Sequence, residues 1–277
     1  MIRIVTDSSA YLKKQEAINL GVRVVPISYA SGSQVYHESY SDCNGDFTRL
    51  FEQSGARLTT SQPNVSAFLS CFEELLSQGE DVEVLCIVLS SRLSGTYSAA
   101  HAAASQVTGG RVAVFDSQVT AGGLYLLLLE AKKLADAGKP LSEILERLEG
   151  VRSRITVAFS VDDMEPLRRS GRIGFVRMGV TTILNIKPIL LCKDGAVVFE
   201  RMTRGSSELL RRLAEMLPEN AAAAVINYIE NSRTAVQLYS IVREKFPLLP
   251  VKLLRMGPVL GVHLGLRVIA LSYIAEE

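Results

Sequence analysis

Three stretches in the first half of the chain repeat one pattern: a short apolar run, a cluster of Ser, Thr or Asp, and then a helical pattern. The apolar runs are residues 2–6 (IRIVT), 82–89 (VEVLCIVL) and 111–115 (RVAVF). Strands that alternate with helices in this way form right-handed βαβ units, whose parallel sheet is covered on both faces. The repeated pattern therefore restricts the first half to an α/β fold with a parallel sheet.

The second half of the chain is organised differently. Residues 186–191 and 196–201 flank Lys193-Asp194-Gly195, which predicts a β-hairpin. Helical patterns at residues 206–216 and 232–245 alternate with further apolar runs, which favours an α+β domain with a mixed or antiparallel sheet. A charged segment near residue 153 separates the halves, so we predict two domains, 1–153 and 154–277.

Composition and charge exclude several classes of function. The net charge is only +1, which argues against binding to nucleic acid or to a membrane by charge alone. No run reaches the roughly 18 apolar residues of a membrane-spanning helix, and the first residues are not typical of a signal peptide. The four cysteines form no C-x-x-C pair. We therefore expect a cytoplasmic protein with reduced thiols and no stable membrane insertion.

Hydroxyl side chains are concentrated where two helical patterns begin. Thr60 and Ser61 precede one pattern, and Ser94 and Thr96 begin another. In a parallel α/β sheet, helix N-termini meet the carboxyl ends of the strands, where N–H groups and hydroxyls bind a small carboxylate or phosphate. Ser and Thr are also among the commonest helix caps, worth about 1 kcal/mol each. The sequence leaves both interpretations open: caps alone, or caps that also bind an anion.

A catalytic interpretation is available for the same hydroxyls. His263 lies in a Gly-rich segment, GPVLGVHLG, which we expect to form a turn beside a cleft between the domains. A Ser94–His263–Asp116 triad would make the chain a serine esterase or acyl transferase. The G-x-S-x-G motif of such enzymes is absent, as are the Gly-rich nucleotide-phosphate motifs and any spacing typical of metal ligands. The esterase is therefore the weaker hypothesis.

Arginines supply candidate contacts outside these clusters. Residues 167–177 (LRRSGRIGFVR) are basic, which is typical of a solvated face but also fits a docking surface or an anion contact. Arg201 and Arg204 follow the predicted hairpin, and either could reach into a cleft between the domains.

Short motifs along the chain occur in an order that is far more specific than any one of them. They are V-T-D-S-S at residues 5–9, T-S-Q-P at 60–63, S-S-R-L-S-G-T-Y at 90–97, F-D-S at 115–117, S-G-R-I-G at 170–174, N-I-K-P-I-L at 185–190 and G-P-V-L-G-V-H at 257–263. Together they resemble the DegV family of bacterial two-domain proteins over nearly the whole length.

This resemblance implies a fold and a function. The fold would be α/β, with a Rossmann-like N-terminal domain and a smaller α+β domain that closes an acyl tunnel. The chain would bind a long-chain fatty acid of the palmitate, stearate or oleate type between the domains. It would present that acid to an ATP-using fatty acid kinase subunit, which phosphorylates the carboxylate. The chain itself would then be a binding subunit without catalysis, ATP site or cofactor. A carrier of another amphiphilic anion remains an alternative.

The resemblance also implies a set of site residues. The carboxylate contacts would be Thr60, Ser61, Ser94, Gly95 and His263. The family's headgroup arginine corresponds best to Arg204, with Arg201 close by. Two departures affect the headgroup end: Ala121 stands where the family usually has a serine, and Leu264-Gly265-Leu266-Arg267 replaces a Gly-Pro-Gly-type turn. Arg267 would add a cation there.

Overall fold

The computed structural model describes residues 1–54, 58–173 and 185–276. The strands are β1 (Ile2–Asp7), β2 (Val22–Val25), β3 (Ile27–Ser31), β4 (Gln34–Glu38), β5 (Leu58–Ser61), β6 (Glu83–Val88), β7 (Val112–Asp116), β8 (Ile155–Val161), β9 (Ile186–Lys193), β10 (Ala196–Arg204), β11 (Ala221–Tyr228), β12 (Val251–Arg255) and β13 (Val268–Ala275). The helices are α1 (Lys14–Leu20), α2 (Phe47–Ser54), α3 (Val65–Leu76), α4 (Thr96–Ala104), α5 (Gly122–Asp136), α6 (Leu141–Ser153), α7 (Glu165–Ser170), α8 (Gly205–Glu215), α9 (Ser232–Lys245) and α10 (Pro258–Leu264).

A parallel sheet forms the first layer, in the order β2-β1-β6-β7. Strand β6 is buried along almost its whole length, as is usual when helices cover both faces of a parallel sheet. The carboxyl ends of β1, β6 and β7 carry the Ser, Thr and Asp clusters, so these clusters meet at one edge. The predicted α/β fold of the first half is confirmed.

A mixed six-stranded sheet forms the second layer, in the order β10-β9-β8-β13-β11-β12. Only the β11–β12 pair is parallel, and the other neighbouring pairs are antiparallel. The predicted hairpin joins β9 to β10 through Asp194 and Gly195, whose φ values are 49° and 80°. Two successive positive φ values give a type I′ turn, whose twist matches that of the strands.

A third, small sheet has the antiparallel order β4-β3-β5 and was not predicted. It corrects the interpretation of the first hydroxyl cluster, because Thr60 and Ser61 lie in β5 and do not cap a helix. The cap of α3 is Asn64, whose Oδ1 accepts a hydrogen bond from the Ala67 N–H group at 2.8 Å. The β-branched side chains of Thr59 and Thr60 favour a strand, which explains the difference.

Helix α5 lies between the two large sheets. It contacts β8, β11 and β13 on one side and β1 and β6 on the other. Its first seven residues, 122–128, are all buried, as expected of a helix that is apolar on every side. At Gly122 the backbone approaches β11 closely: its N–H group donates to Asn227 Oδ1 at 3.1 Å, and an added Cβ would lie 2.5 Å from that oxygen.

One hydrophobic cluster therefore extends through both halves of the chain. It includes Leu85 from the parallel sheet, Leu127 from α5, and Leu190 and Val268 from the mixed sheet. The division into domains 1–153 and 154–277 stays a prediction, although the strands of the two large sheets come from opposite sides of it. Within the described ranges, no helix is long and apolar enough to cross a membrane.

Candidate ligand-binding site

A cavity of about 320 Å³ lies between the carboxyl edge of the parallel sheet and the mixed sheet. Its volume is in the usual range for small-molecule sites, about 300–1,000 Å³. The lining residues are Ile27, Thr60, Ser61, Gln62, Leu89, Leu93, Ser94, Gly95, Thr120, Ala121, Val157, Phe159, Leu167, Arg172, Cys192, Val197, Met256, Val259, Leu260, His263, Leu264, Val268 and Ala270. Most of them are apolar, and they come from both halves of the chain. The cavity therefore suits a molecule with a long apolar part.

Thr60 and His263 form one polar corner of this cavity. Thr60 Oγ1 and His263 Nε2 lie 2.8 Å apart, which is hydrogen-bond distance. The two residues are 203 positions apart in sequence and are brought together by β5 and α10. His263 lies in helix α10, so the expectation of a turn was wrong. Pro258 explains the helix, because proline is favoured in the first turn, where its missing N–H group costs nothing.

Ser94 and Gly95 form a second polar group, at the start of α4. Gly95 is the N-cap, and Ser94 Oγ lies 2.9 Å from Thr96 Oγ1 and accepts from the Thr96 N–H group at 3.3 Å. A Cβ atom at Gly95 would lie only 2.1 Å from Gln62 Oε1, so the Gln62 side chain packs closely on the backbone of this loop. Gln62 was missed as a lining residue, although it belongs to the T-S-Q-P motif that was singled out.

The electrostatics of the polar corner depend on His263 and Arg172. Burial lowers the pKa of His263 to about 4, and the nearby positive charge of Arg172 acts in the same direction. The imidazole is therefore neutral at pH 7, with one nitrogen as donor and the other as acceptor. Among the described residues, Nδ1 has no hydrogen-bond partner. Arg172 Nε donates to the Leu93 carbonyl oxygen at 3.3 Å, which holds this cation beside the Ser94 loop.

Arg172 is the arginine on the described cavity wall, and it was predicted only as part of the basic stretch. Residues 174–177 of that stretch lie outside the described residues. The other candidate arginines do not line the described cavity. Arg201 pairs with Glu200 at 3.3 Å, the Arg204 N–H group donates to Glu208 Oε2 at 2.7 Å, and Arg267 is exposed. Contact between these three and a headgroup stays a prediction.

The proposed catalytic triad is not assembled in the described part of the chain. Asp116 accepts hydrogen bonds from Ser91 Oγ at 2.5 Å and from the Gln118 N–H group at 3.0 Å. His263 is bonded to Thr60 instead of Asp116. A hydroxyl nucleophile needs a base that a third group orients, and the described contacts of His263 do not supply one. The described residues also hold no group of three or more His, Cys, Asp or Glu side chains suited to a metal ion.

The polar side chains of the cavity wall can therefore bind an anion. The hydroxyls of Thr60, Ser61 and Ser94 can donate hydrogen bonds, and Arg172 supplies positive charge. All five residues predicted as carboxylate contacts line this one cavity, together with Arg172 and Gln62.

Comparison with known proteins gives the same family over the full length. The family described as "Uncharacterised protein, DegV family" matches residues 1–276. A DegV domain-containing protein of Halalkalibacterium halodurans is 35% identical over 281 residues, covering 100% of this chain and 99% of that protein. A DegV domain-containing protein of Listeria monocytogenes is 30% identical and covers 98% of each.

Solved structures share this fold. A DegV family protein from Thermus thermophilus, described as binding fatty acid, has a TM-score of 0.88 at 29% identity and covers 99% of both chains. A DegV lipid-binding protein from Thermotoga maritima also has a TM-score of 0.88, at 23% identity, and covers 100% of this chain and 99% of its own. At 23% identity, the similarity to the Thermotoga maritima protein shows a shared fold and nothing about function.

Proposed function

Because the chain belongs to the DegV family, we propose that it binds a long-chain fatty acid in the 320 Å³ cavity. The observation that carries this proposal is the Thr60–His263 pair, at 2.8 Å, set in the wall of an otherwise largely apolar cavity. The fatty acid binding described for the Thermus thermophilus protein, at 29% identity, supports it.

Each part of the ligand would have a physical partner. In the tautomer with hydrogen on Nε2, His263 donates to Thr60 Oγ1 and leaves the Thr60 hydroxyl hydrogen free for the carboxylate. Ser61, Ser94 and the backbone at Gly95 add further donors, and Arg172 adds positive charge. Charge-assisted hydrogen bonds are worth about 1.5–3 kcal/mol each. The tail would contribute about 0.8 kcal/mol for each buried methylene, so it supplies most of the affinity.

This site can hold an acid without transforming it. The proposal therefore assigns the chain the role of a binding subunit in the cytoplasm, without a nucleotide cofactor. An ATP-dependent fatty acid kinase subunit would phosphorylate the bound carboxylate to an acyl phosphate. Arg201, Arg204 and Arg267 remain candidate contacts for the headgroup or the new phosphate.

The direct test is to purify the chain without added lipid, denature it, extract it and analyse the extract by mass spectrometry. We expect near-stoichiometric long-chain free acid, whose mass reports the tail length. An empty extract, together with no uptake of palmitate or oleate, would contradict the proposal and direct attention to other amphiphilic anions.

Replacement of Thr60 and Ser94 tests the carboxylate contacts. The double variant Thr60→Val with Ser94→Ala should weaken binding of a free acid by about 10- to 100-fold for each hydrogen bond lost. Binding of the methyl ester should change much less, because the ester carries no charge. The measurement is a pair of dissociation constants, for stearate and for methyl stearate.

Thr59→Val is the matched control for that variant. Thr59 is an exposed neighbour on the same strand β5 and does not line the cavity. It should leave both dissociation constants unchanged. Equal losses of acid and ester affinity in the double variant would count against a carboxylate site.

A further inference from the structure

A fully buried carboxyl group lies against the helix that carries His263. Glu38 ends strand β4 and is 0% exposed. Its Oε2 accepts a hydrogen bond from the Val259 N–H group at 2.9 Å. Val259 is the second residue of α10, and His263 follows it by four residues, which is about one helical turn. The hydrogen bond therefore holds the same short helix that presents the imidazole.

The fit at this contact is close. A Cβ atom at Gly257, just before α10, would lie 2.3 Å from Glu38 Oε2 and 2.7 Å from Asn44 Nδ2. The next N–H group, that of Leu260, donates to the Tyr11 hydroxyl at 3.3 Å. Two N–H groups of the first turn, which have no partner within a helix, are thus bonded by residues from the first half of the chain.

Glu38 and Thr60 belong to the same small sheet. Strand β3 pairs with both β4 and β5, with Glu38 opposite Ile27 and Thr60 opposite Tyr29. Two contacts therefore join this sheet to α10: Glu38 with Val259, and Thr60 with His263. Because both contacts join the small sheet to α10, we expect a shift of the first contact to move the second.

We propose that Glu38 is a positioning residue for His263, and that it sets where the imidazole meets Thr60 and the carboxylate of the ligand. The part of this inference that concerns the ligand carboxylate rests on the proposed function. Glu38 does not line the cavity and acts only through α10.

The charge state of Glu38 makes the inference testable. Burial raises its pKa to about 8, the hydrogen bond from Val259 opposes the rise, and the charge of Asp7 adds to it. Among the residues that the structure describes, the titratable groups that face it are Asp7 on β1, Tyr11 after β1 and Tyr29 on β3, and none of these three carries a positive charge. Ionisation above pH 8 therefore places a negative charge beside the first turn of α10, where the Val259 N–H group stabilises it but burial imposes a large desolvation cost.

The first test needs no ligand. The imidazole NMR signals of His263 are followed from pH 7 to pH 9.5 in the natural chain and in Glu38→Gln, which keeps an acceptor but cannot ionise. We expect the His263 signals of the natural chain to titrate with a midpoint near the pKa of Glu38, about 8, and those of the variant to stay flat. Identical His263 titrations in the two chains would overturn the inference.

Asp7→Asn is the matched control. Asp7 is also 0% exposed with a raised pKa, but it accepts hydrogen bonds from Ser9 and Leu89 and not from α10. It should retain the titration of the His263 signals, with a midpoint below that of the natural chain because the charge of Asp7 contributes to the raised pKa of Glu38. If this variant also abolished the titration, a general effect of buried carboxyl groups would replace the specific role of Glu38.

The second test measures stearate affinity across the same pH range. If binding requires uncharged Glu38, affinity falls about tenfold by pH 9, one unit above the pKa of about 8. Glu38→Gln should bind nearly equally at pH 7 and pH 9, and Glu38→Leu, which loses the hydrogen bond, should bind more weakly at both. A merely structural role would lower the melting temperature of Glu38→Gln and leave the pH slope intact.

The outcomes separate this inference from the proposed function. Stearate uptake that does not vary with pH in the natural chain overturns the role of Glu38 and leaves the fatty acid site standing. No uptake at any pH overturns the fatty acid site, and the imidazole titration still decides whether Glu38 positions His263.

Discussion

His263 is the residue whose environment most changes its chemistry. Its pKa of about 4, against an ordinary value of 6.5, means that the folded chain resists protonation of this side chain. A carboxylate beside it would therefore be held by neutral donors and by Arg172, and not by an imidazolium ion. With hydrogen on Nε2, the neutral imidazole donates to Thr60 Oγ1, so the Thr60 hydroxyl hydrogen can be oriented towards the ligand.

This lowered pKa predicts a pH dependence of stability. Between pH 6.5 and about pH 4 the unfolded chain binds a proton at this position and the folded chain does not, so the free energy of unfolding falls as the pH falls. The lowered pKa of His263 contributes in all about 3 kcal/mol to the free energy of unfolding at neutral pH, since one pKa unit corresponds to about 1.4 kcal/mol. His263→Gln cannot titrate, so its loss of stability in this window should be smaller. Urea denaturation at pH 7, 5 and 4 measures the difference.

His101→Gln is the control for that comparison. His101 is exposed on α4 and lies outside the cavity lining, so its replacement controls for the general effect of losing a histidine. A His263→Gln variant with the slope of the natural chain would show that this imidazole titrates normally.

The five residues predicted as carboxylate contacts all lie on the described cavity wall, whereas the predicted headgroup arginines do not, and the contacts themselves stay predictions. Thr60, Ser61, Ser94, Gly95 and His263 all line one cavity, because the motifs that contain them are short and their spacing is fixed by strands and loops. Arginine side chains are long, and their reach depends on tertiary packing. Arg172 could therefore not be separated from Arg201 or Arg204 by sequence position alone.

At the scale of elements, the hairpin between β9 and β10 was predicted, but its partner was not. Its turn packs on the loop after β6: Ser90 Oγ donates to the Gly195 carbonyl oxygen at 2.7 Å, and Arg92 Nη1 donates to the Asp194 carbonyl oxygen at 3.0 Å. This loop continues to Ser94, so the hairpin supports one wall of the site. A local turn signal specifies two strands and carries no information about what the turn touches.

The hairpin contact predicts a difference between two glycine variants. Gly195 has a positive φ of 80°, and the Cβ atom of Gly195→Ala would lie 2.6 Å from Ser90 Oγ. Gly32→Ala, in the turn between β3 and β4, has a similar φ of 60° with nothing within 4 Å, so it controls for backbone strain alone. We expect a cost of about 1 kcal/mol for Gly32→Ala and about 1–3 kcal/mol more for Gly195→Ala, from urea denaturation. Equal costs would show that the hairpin tip can move away from Ser90.

The hydroxyl run before α3 shows why one element was misassigned. Thr59, Thr60 and Ser61 are good caps and also good strand residues, and the choice depends on pairing with β3, which lies about 30 residues earlier in the chain. Thr60 nevertheless lines the cavity, and its role as a carboxylate contact stays a prediction.

For the whole molecule, the sequence predicted two halves and missed what joins them. The run GGLYLLLL at the start of α5 has no polar face, and this signal could have indicated a helix buried between two sheets. The hydrophobic pattern within the first half of the chain cannot show that this helix packs on strands of the second half. The boundary near residue 153 therefore divides the sequence more cleanly than it divides the hydrophobic core.

The shared helix predicts that both large sheets unfold together. Gly122→Ala would place a Cβ 2.5 Å from Asn227 Oδ1 and 2.7 Å from Ser272 Oγ, so it should separate α5 from β11 and β13 and destabilise the chain by about 1–3 kcal/mol. Hydrogen exchange in increasing urea should show that the amides of β6 and β13 lose protection at one shared urea concentration in the natural chain. In Gly122→Ala they should again lose protection together, at a lower urea concentration. Gly150→Ala, in α6 with open space around it, should not lower that concentration.

Protection lost at separate urea concentrations for β6 and β13 in the natural chain would show two independently stable halves. The domain division at 153/154 would then describe folding units as well as sequence.

The cavity takes its walls from both halves, with Ala121 on one side and Phe159 and Ala270 on the other. A molecule seated there touches both halves and disfavours any opening between them, in proportion to its free concentration. Proteases cleave mainly such opened forms. The filled chain would then be degraded more slowly than the empty one, and the abundance of the protein in a cell would follow the supply of the molecule that fills the cavity.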